Sequence, residues 1–186
     1  HAPSNTGKKG TREFVIPAIN YLKDKFEIEF NLIQGVSHEE CIEMISKSDI
    51  FIDQMVAGYY GNAGLEAMVM GIPVLAYVSD ETISMAGKEW EKIPIIRARE
   101  LSIESVIGSL ESVLENPESL ERIGRECKEW VKKIHSDKRI AKMWEELYLG
   151  DNDGPMIEKN GEVGIWNNSP RESVQSSEYL LRGGGT

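Results

Sequence analysis

The sequence has only two cysteines, Cys41 and Cys127, and they lie far apart with no partner at metal-ligand spacing. A disulfide scaffold and a zinc ribbon are therefore excluded, and the thiols read as reduced core residues of an intracellular protein. Basic charge is also scarce: 21 Lys and Arg stand against 31 Asp and Glu, for a formal net charge of −10. That balance argues against a nucleic-acid partner, because phosphate backbones are held by clustered Lys and Arg. It leaves room for a small phosphate ligand, which needs only a local set of donors. No apolar run approaches the ~20 residues that span a bilayer. The patterns G-x-x-x-x-G-K-[ST] and G-x-G-x-x-G are absent, which disfavours a P-loop enzyme and a plain dinucleotide-binding domain. The three histidines, His1, His38 and His135, form no triad or metal set by spacing.

What is present is an ordinary globular composition, 40% hydrophobic and 28% charged. Its length suits one domain with a tail. The opening "HAPSN" has no initiator Met and no signal-peptide pattern. It reads as the end of a strand whose beginning lies upstream, so a fragment or excised domain is expected. A loop, "HAPSNTGKKG", leads to a helical pattern from Thr11 to about Phe26, bent in its first turns by Pro17. Glu27 to Gln34 alternates as a strand. Ser37 and Glu40 fit a capping box at the next helix start. "DIFID" is a short buried strand, and a helix from about Asn62 to Met70 stops at Gly71 before a strand from Pro73 to Val78.

Farther on, a short helix near residues 82–87 precedes a strand in "IPIIR", and Ser102 opens an amphipathic helix carrying Ile103, Val106, Ile107, Leu110, Val113 and Leu114. Asn116-Pro117 caps another, with Trp130 on its apolar face, and a third begins near Asp137 and carries Trp144; both tryptophans read as core. From Gly150 the periodicity stops. Residues 150–186 read as a polar, flexible tail, and residues 1–149 as the domain. Strands alternating with helices imply an α/β fold: a Rossmann-like parallel sheet with helices on both faces, followed by C-terminal helices. Ligands of such sheets bind at the carboxyl ends of the strands, here at residues 3–10, 34–38 and 54–64.

The chemistry sits in those loops. Gly61 and Gly64 admit close backbone approach, and the helix start at Asn62 and Ala63 leaves amides unpaired, which together suit a diphosphate. Glu66 is a poor neighbour for phosphate, but its two oxygens can accept from the two hydroxyls of a ribose. The competing reading makes Glu66 a favourable first-turn acid and the glycines turn formers. In the first loop Ser4, Asn5, Lys8, Lys9 and Gly10 bring a lysine toward the same phosphates. Gln54, ending the buried strand, reaches toward the pocket, while Asp53 ties down the loop. Tyr59 and Tyr60 line the cleft or a domain interface, and His38 sits just inside a helix start that faces the ligand.

"HAPSN…KKGT", "LIQGVSHEE", "DIFIDQ" and "GYYGNAGLEAMVMGIPVLAY" together resemble the C-terminal, donor-binding half of GT-B glycosyltransferases of the family 1/family 4-like retaining kind. The likeness runs from His1 to about Tyr148, and Gly61 to Val74 is its most specific part. It implies a nucleotide-diphosphate sugar as substrate, UDP- or GDP-linked, with Glu66 on the ribose, and Lys9 and the Gly61–Gly64 amides on the diphosphate. Val36 and Ser37 would lie along the base. It also implies no cofactor and no metal, since the family neutralises diphosphate with side chains and amides. (Asp151 and Asp153 form a D-x-D, but in the tail.)

Gly58 stands where the family often carries a second carboxylate, and the first loop lacks the family's frequent arginine. The acceptor site and the catalytic residues are expected on an N-terminal GT-B domain absent from this sequence, so the chain alone is expected to transfer no sugar. The alternatives of the same architecture are a sugar-nucleotide epimerase, which needs no acceptor, and a non-catalytic nucleotide-sugar-binding domain. A cytoplasmic location is expected. Lys128, Lys132, Lys133, Lys138 and Arg139 would suit an anionic membrane surface, but Glu126 and Glu129 intersperse them as on a solvated helix face.

Overall fold

The computed structural model describes residues 1–149. The sequence-based expectations for the tail, including Asp151 and Asp153, lie outside the described residues. Three parallel strands, β1 (Phe51–Ile52), β2 (Val74–Tyr77) and β3 (Ile96–Ala98), form a sheet in the order β1-β2-β3. Phe51 pairs with Val74, Ile52 with Leu75, and Leu75 with Ile96. Helices α1 (Ile16–Lys23) and α2 (His38–Ser46) precede β1, α3 (Asn62–Met70) joins β1 to β2, α4 (Asp80–Ala86) lies between β2 and β3, and α5 (Ile103–Leu114), α6 (Glu118–Ile134) and α7 (Asp137–Leu149) follow.

Side-chain alternation along the strands splits the core in two. Phe51, Val74 and Ala76 face one way and pack with Ile45, Met68, Cys127 and Trp130 from α2, α3 and α6. Ile52, Leu75, Ile96 and Ala98 face the other way, onto Ile19, Leu22, Val106 and Leu110 from α1 and α5. Burial on both faces is why the strands read as unbroken apolar runs. The fold class expected from the sequence is the one observed.

Helix starts fall where their caps put them. Ser37 Oγ accepts from Glu40 N–H at 3.2 Å and Glu40 Oε2 accepts from Ser37 N–H at 2.8 Å, completing the capping box of α2. Ser102 accepts from Ser105 N–H at the start of α5. Gly71 ends α3 at φ 85°, a left-handed conformation that favours glycine.

Four expectations need correction. Residues 11–26 are not one helix: Thr11–Val15 is a π-helical turn ahead of α1, with Val15 N–H bonded to Gly10 O, and Pro17 sits in the first turn of α1 where its missing N–H is tolerated. Residues 27–34 form no strand: among the described residues, His1 alone bonds to their backbone, at Asn31 O and Ile33 N–H. Asn116 contributes no side-chain cap, and Pro117 is the residue that precedes α6. Trp130 is core at 9% exposed, whereas Trp144 is 54% exposed, since α7 packs no buried residue against the rest of the domain.

The C-terminal end of α3 comes very close to α6. A Cβ placed on Gly124 would run into the carbonyl oxygen of Gly71, so the two helices meet backbone to backbone. Substituting Gly124→Ala must push α6 away from α3 and is expected to cost about 1–3 kcal/mol, as overpacked cores do, read as a lower urea midpoint with an unchanged slope.

Candidate functional site

The three loops picked out from the sequence meet at the carboxyl edge of the sheet. Gln34 Nε2 donates to Pro3 O at 3.4 Å, joining the second loop to the first. Lys9 Nζ donates to Asp53 Oδ1 at 3.0 Å, joining the first loop to the end of β1. His38 Nε2 lies 2.9 Å from Glu66 Oε1, joining the start of α2 to α3.

Asp53 is the centre of this edge. Its side chain is 1% exposed, and it accepts from Lys9 and from the Gly61 N–H. A Cβ on Gly64 would lie 2.5 Å from Asp53 Oδ2, and one on Gly61 would lie 2.9 Å from Lys9 Nζ. The two glycines therefore admit the Asp53 carboxylate and the Lys9 ammonium. From the sequence they were expected to make room for a ligand; in the structure they make room for an internal ion pair. Asp53 ties down the loop, as its position at a strand end suggested.

Glu66 is the fifth residue of α3, and the first turn of that helix holds no acid. The macrodipole effect fades beyond the first turn, so helix-start stabilisation does not account for this carboxylate. Its side chain is 39% exposed, and His38 engages only Oε1. The amides of Asn62, Ala63 and Gly64, one turn earlier, lack i−4 partners by helix geometry.

Other residues expected at the site divide. Ser4, Asn5, Lys8, Val36, Ser37 and Asn62 are exposed at this edge, with Asn5 Oδ1 accepting from Lys8 N–H at 2.9 Å. Gly10 is buried at φ 70° and turns the chain into the π-helical segment. Gln54 and Tyr60 point elsewhere. Gln54 is 6% exposed and donates to Tyr59 O. Tyr60 stacks on Trp90 at 5.3 Å between ring centroids, and its hydroxyl meets His135 Nε2 at 2.6 Å. Burial raises the Tyr60 pKa and, with the Arg139 charge as a smaller cause, lowers that of His135. That pairing favours a neutral imidazole accepting from the phenol. Tyr60 is an anchor of the loop, and Tyr59, 53% exposed, is the tyrosine on the surface. Gly58 has φ 78° and its carbonyl accepts from Ser79 N–H, so the position that offers no second carboxylate is held in a backbone conformation that favours glycine.

The family profile described as "Glycosyl transferases group 1" matches residues 20–130. The chain belongs to that family. Its matched region runs from the end of α1 to Trp130 of α6 and contains β1, α3 and Glu66. Among solved structures it is similar to sucrose-phosphate synthase from Thermosynechococcus elongatus, at 17% identity and a TM-score of 0.50. That likeness covers 64% of this chain and shows a shared fold; the chain spans 29% of the length of that protein. No curated protein matches the sequence.

Replacing Asp53 with alanine strands Lys9 and the Gly61 N–H at once. Asp53→Ala is expected to cost about 3 kcal/mol of stability in urea unfolding, the low end for a broken buried pair because Lys9 can swing to water. Asp53→Asn keeps an acceptor for Gly61 and should lose only about 1 kcal/mol. Equal losses for the two variants would contradict this division of roles.

Proposed function

We propose that this group 1 glycosyl transferase chain is the donor-binding half of a two-domain enzyme that transfers a sugar from a nucleotide-diphosphate sugar. The diphosphate lies against the first turn of α3, at Asn62, Ala63 and Gly64, with Lys9 beside it. An ammonium carries three donors, and Asp53 engages one, so Lys9 retains N–H groups for phosphate oxygens. Glu66, one turn along the helix, accepts from the ribose hydroxyls through the oxygen that His38 does not engage. Val36 and Ser37 border the base.

The single observation that carries this reading is the position of Glu66: a carboxylate outside the first turn, on the helix whose amides and neighbouring lysine suit phosphate. Transfer is retaining and needs no metal in this reading, and the acceptor is held by an N-terminal domain. The two glycine–ion-pair contacts support it indirectly, because they fix Lys9 and α3 relative to each other before any ligand arrives.

The test is a set of UDP-, GDP- and ADP-sugars, screened for thermal stabilisation and then titrated by calorimetry. One base class should stabilise the chain. Glu66→Ala should then weaken that ligand by about 1–3 kcal/mol, roughly 5- to 150-fold, with little change in unfolding midpoint since the side chain is partly exposed. Unchanged affinity in the variant would remove the ribose role.

A further inference from the structure

The bond between His38 and Glu66 is not explained by the stability of the helices that make it. His38 is the first residue of α2 and Glu66 the fifth of α3, 28 residues apart, yet His38 Nε2 donates to Glu66 Oε1 at 2.9 Å. The start of α2 is complete without the imidazole. Ser37 and Glu40 satisfy each other in the capping box, and Glu39 and Glu40 supply the acids that a helix N-terminus favours. A side chain that can carry positive charge has the wrong sign for that end of a helix.

The two helices hold the pair on a fixed frame. Ile45 of α2 and Ala67 and Met68 of α3 are fully buried in one core cluster, and Cys41, Ala63 and Leu65 pack against it. Glu66 lies close to α2 on this side as well: burial first, and the Glu66 charge second, push the Cys41 thiol up. Glu66 is also the only ionisable side chain on α3, so His38 has no competitor there. An ionised carboxylate only accepts, so Nε2 carries the proton whether the ring is neutral or charged, and Nδ1 is the nitrogen that gains or loses one. The bond therefore survives a change in the charge of the ring.

We propose that His38 is a positioning residue for Glu66: it holds Oε1 so that Oε2 faces the ribose hydroxyls, and it thereby sets a preference for ribonucleotide over 2′-deoxyribonucleotide donors. The inference rests on the reading of Glu66 as the ribose acceptor. An unheld glutamate must give up its rotamer freedom when the ligand arrives, which for a side chain of this kind costs about 3- to 10-fold in affinity. With His38 in place that order exists beforehand. The loss on removing His38 falls on the hydroxyl contacts alone, because Lys9 and the α3 amides, which face the phosphates, do not bond to it.

The test uses the ribonucleotide sugar that best stabilises the 186-residue chain, together with its 2′-deoxy analogue. Both are titrated by calorimetry into the unaltered chain, His38→Ala, His38→Gln, Glu66→Ala and the His38→Ala/Glu66→Ala double variant. His38→Ala should weaken the ribonucleotide about 3- to 10-fold and the deoxy analogue less. Its urea midpoint should stay near that of the unaltered chain, because the His38 side chain is 75% exposed. His38→Gln, whose amide donates at nearly the same reach, should restore most of the affinity. In the Glu66→Ala background, removing His38 should have no further effect. Full affinity in His38→Ala, with Glu66→Ala still weakened, would overturn this proposal and leave the ribose role of Glu66 standing. So would an equal loss from His38→Ala with and without Glu66, which would make His38 a ligand contact or a structural residue in its own right. If no nucleotide sugar binds, or if Glu66→Ala weakens none of them, the ribose reading and this proposal fall together.

Discussion

One buried carboxylate holds the carboxyl edge of this sheet together. Asp53 ends β1, and from there it takes the Lys9 ammonium from the first loop and the Gly61 N–H from the start of α3. Burying a lone carboxylate is costly, and the cost is offset only when charge and hydrogen bonds converge on it. The convergence requires space that a Cβ would fill, which is why Gly61 and Gly64 stand where they do. With the start of α3 fixed to β1, Glu66 can lie only one turn along, beside His38 of α2.

The same helix is fixed at its other end by a different force. Gly71 leaves α3 in a left-handed turn and its carbonyl touches Gly124 of α6, so packing replaces charge as the restraint. Between these ends Ala67 and Met68 are fully buried. The loop that leads into α3 is anchored from within by Tyr60, whose ring lies among Trp90, Trp130 and His135. A helix restrained at both ends and at its entry can present amides and a carboxylate with little freedom to lose on binding, which is what a precise site needs.

Features written locally were legible in the sequence, and features that depend on distant partners were not. The capping box at Ser37, the stop at Gly71 and the Ser102 cap need only neighbouring residues, and each was readable. The period-two and helical patterns gave the α/β class for the same reason. Residues 27–34 carry a strand pattern, yet a strand exists only through its neighbours, and among the described residues this segment's backbone bonds to His1 alone. The Lys9–Asp53 pair joins residues 44 apart, so the sequence shows Lys9 in a loop after a strand end but not its internal partner. The available signal was an acid closing a buried strand shortly before two glycines. Tyr60 and Tyr59 are indistinguishable in composition, and only the fold decides that the first turns inward. Trp144 follows helical spacing as faithfully as Trp130, but spacing says which residues share a face and not whether anything covers it.

These restraints also bear on how the site would discriminate in the proposed reading. Because Asp53 already balances Lys9, the edge is less positive than a bare lysine beside a helix start would make it. Attraction to a diphosphate then rests on directed hydrogen bonds from the α3 amides and the remaining Lys9 donors, more than on net charge. Directed donors select by geometry, and they are less weakened by salt than exposed charges. A free phosphate or a polyanion would satisfy the amides equally well but would leave Glu66 without a donor and close to a like charge. The carboxylate would therefore act by exclusion as well as by grip. It would disfavour phosphate at its own position and accept the paired hydroxyls of a ribose, so one helix would distinguish the two halves of a nucleotide.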